Sequence, residues 1–113
     1  RSAFVTSSSK IAGGCALMEG AIVNGAILAQ NSVINTKAVI EHGCILGNNV
    51  FVGPGAIVCG DTCIGDNVLV GAGVIIRDGI EITENVTIGM GSVVVRSIVE
   101  PGVYLGNPCR KIR

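Results

Sequence analysis

From Ile40 to Val94 an aliphatic residue falls at every sixth position: Ile40, Leu46, Val52, Val58, Ile64, Val70, Ile76, Ile82, Ile88 and Val94. Two residues before each beat stands a mostly small or β-branched residue, from Ala38 and Cys44 through Val86 and Ser92. The residue after it is often glycine, as at Gly47, Gly53, Gly65, Gly71 and Gly89. Side chains two apart on a strand point the same way, so each hexad reads as a short strand with two inward residues, followed by a turn that glycine and asparagine accommodate. A chain built this way coils. The period predicts an all-β fold, a single-stranded left-handed parallel β-helix in which three hexads close one triangular coil.

Residues eighteen apart then stack into three inward columns: Ile34, Val52, Val70 and Ile88; Ile40, Val58, Ile76 and Val94; Leu28, Leu46, Ile64 and Ile82. Each buried aliphatic contributes roughly 1.5–3 kcal/mol. Towards the N-terminus the beat is expected to continue through Ile34, Leu28 and Ile22, then to slip by one residue onto Leu17, Ile11 and Val5, with a bulge or altered turn between Met18 and Ala21. That gives about five coils and a prism on the order of 24 Å tall. Residues 1–113 form one domain, with the repeat over 3–95 and a tail over 96–113. Pro101, Gly102, Gly106 and Pro108 mark that tail as a loop with one short strand at Val103 to Leu105.

An apolar fraction of 49% and a mean hydropathy of +0.65 raise the question of a membrane. No run approaches the roughly 18 apolar residues that span a bilayer, and Gly, Asn and Asp interrupt the aliphatics throughout, so no membrane partner is expected. Lys+Arg and Asp+Glu balance at 8 each, which leaves no electrostatic footprint for nucleic acid. Five cysteines without a CxxC pair argue against a disulfide scaffold or a zinc knuckle, and a reducing cytoplasm is the expected setting. Cys15 and Cys44 fall on small inward positions, where a thiol packs as a small hydrophobe; Cys59, Cys63 and Cys109 do not.

Function must lie in the turns. The one histidine, His42, follows the beat residue Ile40 and projects outward, either as a solvated turn residue or as a functional base. It sits within Asn35-Thr36-Lys37-Ala38-Val39-Ile40-Glu41-His42-Gly43-Cys44, which is followed by Gly53-Pro54-Gly55-Ala56 with Gly60, then Gly89-Met90-Gly91-Ser92-Val93-Val94 and Gly106-Asn107-Pro108-Cys109. From Ser2 to Ile112 these motifs resemble the bacterial hexapeptide-repeat sugar O-/N-acyltransferases that acetylate sialic acid or nucleotide amino sugars of the bacillosamine type.

The resemblance implies an acetyl-CoA-dependent enzyme. His42 would be the general base for direct attack by a sugar amine or hydroxyl, and Gly60 would offer its N–H near the thioester carbonyl. Counting along the repeat supports the pairing, since Gly60 is eighteen residues after His42 and falls on the same corner one layer away. A base and a backbone donor on one corner suit acyl transfer. Glu41 is the adjacent carboxylate that would fix the imidazole tautomer, unless it is a plain turn glutamate; relatives often carry an acid after the histidine, where this chain has Gly43. Asn35 would position the histidine or the acceptor, or simply serve its turn. Phe51 stands where the bacillosamine enzymes have a second histidine, and would shape an acceptor pocket.

Further implications of the resemblance are a homotrimer with active sites in the grooves between prisms, and coenzyme A phosphates met by Arg110 and Lys111. They also include a nucleotide-sugar-binding α/β domain ahead of the helix, ending about where Arg1 begins. The alternative is a non-catalytic trimeric prism lacking that domain. A zinc site of the carbonic anhydrase kind needs three histidines, and the single His42 argues against it; no metal is expected.

Overall fold

A computed structural model describes residues 2–113 and shows a parallel β-helix. The first coil holds β1 (Phe4–Val5), β2 (Lys10–Ile11) and β3 (Ala16–Leu17), and the second β4 (Ile22–Val23), β5 (Ile27–Leu28) and β6 (Val33–Ile34). The third holds β7 (Val39–Ile40), β8 (Ile45–Leu46) and β9 (Phe51–Val52), and the fourth β10 (Ile57–Val58), β11 (Cys63–Ile64) and β12 (Leu69–Val70). The fifth holds β13 (Ile75–Ile76), β14 (Glu81–Ile82) and β15 (Val86–Ile88); β16 (Val93–Val94), β17 (Gly102–Gly106) and β18 (Cys109–Lys111) follow. Every third strand stacks on the last. Sheet A runs β1-β4-β7-β10-β13-β16, sheet B β2-β5-β8-β11-β14, and sheet C β3-β6-β9-β12-β15-β17-β18.

The three predicted aliphatic columns are the core, and the members from Leu28 to Val94 are all buried. The small inward column beside them includes Ala38, Cys44, Ala56 and three fully buried hydroxyl residues, Ser32, Thr62 and Ser92. Those hydroxyls are satisfied: Ser32 donates to the Gly47 carbonyl (3.1 Å), Thr62 donates to the Arg77 carbonyl (3.2 Å), and Ser92 accepts from the Gly106 N–H (3.1 Å). A polar group left unpaired there would carry its full desolvation penalty.

The slip in the clock lies later than expected. Val23 is buried and Ile22 is 37% exposed, so the beat runs Val5, Ile11, Leu17, Val23 and then shortens to reach Leu28. The register records it: Phe4 pairs with Ile22 at a spacing of 18, whereas Ile22 pairs with Val39 at 17. Aliphatics at both 22 and 23 satisfy the pattern by themselves. Their neighbours decide, because Ala21, two before Val23, is the fully buried small residue that a hexad requires. The shortened turn is therefore Asn24–Gly25–Ala26, not the segment from Met18 to Ala21.

The C-terminal segment is also more ordered than a loop. Ile98 bridges to Ile82 and caps the core at 5% exposure, while β17 stacks on β15 and turns back as an antiparallel hairpin into β18. These layers on the fifth coil extend the long axis to 37 Å against 22 Å across.

Candidate active site

Each corner of the prism carries a different stack of turn residues. At the corner between sheets B and C, and at the one between C and A, glycine often follows the beat (Gly47, Gly65; Gly53, Gly71, Gly89). The corner between A and B is different. There the residues after the beat are Asn24, Glu41, Cys59, Arg77 and Val95, and outside them stand Gly25, His42, Gly60, Asp78 and Arg96. Turn hydrogen bonds tie these layers together. The Gly43 N–H donates to the Gly25 carbonyl (2.9 Å), Asp61 N–H to the His42 carbonyl (2.9 Å), and Gly79 N–H to the Gly60 carbonyl (3.0 Å).

His42 is exposed and lies between Gly25 on one side and Gly60 on the other. A Cβ at Gly60 would stand 3.0 Å from the His42 carbonyl oxygen, so glycine keeps this approach open. The direction of the Gly60 N–H is fixed from inside. The Cys44 thiol donates to the carbonyl of Cys59 (3.1 Å), drawing that oxygen towards the core. In a trans peptide the C=O and N–H point opposite ways, so the Gly60 N–H faces out over the corner, where it has no acceptor among the described residues. It is an open donor one layer from an imidazole.

Glu41 is half-buried and accepts a hydrogen bond from Asn24 Nδ2 (3.3 Å); no hydrogen bond joins it to His42. Asp61 extends its carboxylate over Gly43, the position where an acid after the histidine would have stood. Burial pushes the Cys59 thiol up, with the Asp78 and Glu41 carboxylates adding to the effect, so this residue, stacked on Glu41, holds its proton more tightly than a free thiol. Burial raises Cys44 too, which keeps its proton available for the Cys59 carbonyl.

Within one chain the other predicted site residues lie elsewhere. Asn35 is on the corner between C and A, where its carboxamide oxygen accepts from the Thr36 N–H (2.7 Å). Phe51 projects from sheet C, 38% exposed, on the face that does not adjoin the His42 corner. Arg110 lines a cleft of about 250 Å³ together with Arg96, Tyr104, Pro108 and Cys109, and Arg96 tops the His42 stack. Lys111 instead pairs with Glu100 (3.4 Å). Asn24, Gly25, Cys44 and Arg96 were not singled out as site residues. Once the slip is placed after Val23, counting 17 back from His42 and 18 forward from Asp78 finds Gly25 and Arg96; the thiol's hydrogen bond leaves no mark in the sequence.

Residues 61–96 match the bacterial transferase hexapeptide family (six repeats). The chain matches no curated protein sequence. Among solved structures it is similar to the acetyltransferase domain of PglB from Neisseria gonorrhoeae, with 33% identity over 97% of this chain and 54% of that one, at a TM-score of 0.96. The same domain in complex with acetyl coenzyme A gives 0.94. A variant of perosamine N-acetyltransferase from Caulobacter crescentus, solved with CoA and GDP-perosamine, is 29% identical over 97% of this chain and 53% of that one, with a TM-score of 0.94. The chain thus spans about half the length of these relatives. It is a left-handed parallel β-helix of hexapeptide repeats whose likeness, along nearly its whole length, is to hexapeptide-repeat sugar acetyltransferases.

Proposed function

We propose that the A–B corner is an acyl-transfer site that moves the acetyl group of acetyl-CoA to a sugar amine or hydroxyl. The observation that carries this is the stack itself: an exposed imidazole flanked by a glycine whose N–H is turned outward and left open. The acceptor's nitrogen or oxygen attacks the thioester carbonyl, His42 takes the acceptor's proton as the new bond forms, and Gly60 N–H stabilises the oxyanion. Collapse of the intermediate breaks the C–S bond, and the His42 imidazolium returns the proton to the departing thiolate. The relatives solved with acetyl-CoA and with GDP-perosamine support an amino-sugar acceptor.

The cleft at Arg96 and Arg110, on the same edge of the prism, offers two guanidinium groups for coenzyme A phosphates, with the arm running past Asp78 towards Gly60. His42 stands on an open corner in the single chain, and a homotrimer would close it with a neighbouring prism. Asn35 and Phe51 then reach the acceptor from such a neighbour. The five free thiols suit a reducing cytoplasm.

His42→Ala is expected to lower acetyl transfer by about 10²–10⁴-fold while leaving the far-ultraviolet spectrum and acetyl-CoA affinity in place. Undiminished transfer by that variant would overturn the assignment. Because the chain spans only half of its relatives, a purely structural prism is the competing reading. Titration calorimetry with acetyl-CoA separates the two, since a structural prism gives no saturable heat.

A further inference from the structure

The His42 imidazole forms no hydrogen bond to any described residue, and Glu41 is engaged by Asn24. The ring lies over the turn beneath it. Elsewhere on this corner two residues share the work of the turn: His42 and Gly60 offer carbonyls to the next layer, and Gly43, Asp61 and Gly79 take the left-handed conformation, with φ of 82°, 59° and 72°. In the shortened turn Gly25 does both. Its carbonyl accepts from the Gly43 N–H, and its own φ is 70°. The turn is thereby one residue shorter, and the imidazole lies over Gly25. A Cβ built there would be 2.5 Å from His42 Cδ2, 3.2 Å from Nε2 and 3.3 Å from Cγ. The Cδ2–Nε2 edge of the ring rests where any side chain would be. Two hydroxyls fix the seat from below, since the Gly25 N–H donates to Thr6 Oγ1 (2.7 Å) and Ser9 Oγ (2.8 Å), and the Ala26 N–H to Ser9 Oγ (3.2 Å).

We infer that Gly25, set one residue closer to His42 by the shortened turn, is a positioning residue that sets the orientation of the imidazole by contact. Its consequence for turnover rests on the acyl-transfer reading above; the seat itself does not.

Because His42 is the one histidine, its ring resonances are single and unambiguous. Nuclear magnetic resonance of the unaltered protein should show a cross-peak between the His42 Cδ2 proton and the Gly25 Cα protons, and its absence would overturn the inference whatever any variant does. In Gly25→Ala the His42 Cδ2–H and Nε2 resonances should move, and kcat should fall about 10- to 100-fold with the KM for acetyl-CoA unchanged, as displacement of a reacting group by about 1 Å predicts. Gly73→Ala is the control. Gly73 has nearly the same φ, 68°, and nothing within 4 Å of an added Cβ, so it carries the same backbone strain and should leave both the His42 signals and kcat alone. Equal behaviour of the two variants would overturn the proposal. Should His42→Ala retain full transfer while the cross-peak is present, the acyl-transfer reading fails and the seat stands.

Discussion

A thiol at an inward position reads from sequence as a small hydrophobe, and Cys44 is indeed fully buried in the core. Its added role comes from one hydrogen bond. The 3.1 Å contact to the Cys59 carbonyl sets the plane of the peptide that ends in the Gly60 N–H, and so aims the donor proposed for the oxyanion. Thr62 makes the corresponding bond to the Arg77 carbonyl one layer on, whereas Ala26 and Ile80, at the same inward position of sheet B, carry no donor, so the bond is particular to these two layers. Cys44→Val, close in size and without a donor, should lower kcat by about 10-fold or more, part of the 10²–10³ lost when an oxyanion donor is removed outright. Cys44→Ser should restore most of it, and the KM for acetyl-CoA should move little in either. Wild-type kcat in Cys44→Val would separate the thiol from the donor. The candidate site was thus half legible: the motifs that carry the resemblance supply His42 and Gly60, and counting puts them on one corner, whereas a bond made through the core wall and a glycine seated under a ring belong to no motif.

Turns explain what the sequence showed at the level of elements and what it hid. A strict period is readable wherever each turn has the same length, so the strands from β5 to β16 fall where the clock places them. It becomes ambiguous at the one shortened turn, since Ile22 and Val23 both suit a strand and only the partner residue Ala21 distinguishes them. The hairpin of β17 and β18 lies outside the period, and Gly106-Asn107-Pro108 at its bend carries the composition of any loop. The same contrast between turn positions makes a stability prediction. A Cβ at Gly53 would lie 2.6 Å from the Ala72 nitrogen and 2.7 Å from the Gly71 carbonyl carbon, backbone that cannot give way without parting two coils. Gly53→Ala should therefore cost about 2–3 kcal/mol, the upper part of the range for overpacking. Gly73→Ala, with open space around it, should cost only about 1 kcal/mol for a left-handed alanine. Urea denaturation of the two variants checks the order; a smaller loss at position 53 would contradict this account of the corners.

Taken whole, the prism is narrow, and much of its apolar surface faces outward. The outward column of sheet A is apolar from end to end: Phe4, Ile22, Val39, Ile57, Ile75 and Val93, with Phe4 at 55% and Ile75 at 42% exposed. Sheet B breaks its column with Lys10 and Glu81, as a solvated face does. A contiguous apolar face of this kind marks a contact surface, and sheet A directly adjoins the corner that carries His42. A copy of the chain packed on sheet A would remove the aliphatic column from water and wall the open side of the imidazole in one step. The proposed trimer should sediment at three times the chain's 11.5 kDa. Replacing Ile57 and Ile75 together by lysine should dissociate it, because two ammonium groups on each sheet A face would have to be desolvated without partners. Both residues point away from the core, so the far-ultraviolet spectrum should be unchanged, while acetyl transfer falls along with the mass. A wild-type chain that sediments as a monomer, or a doubly substituted chain that still sediments as a trimer, would rule out sheet A as the assembly face.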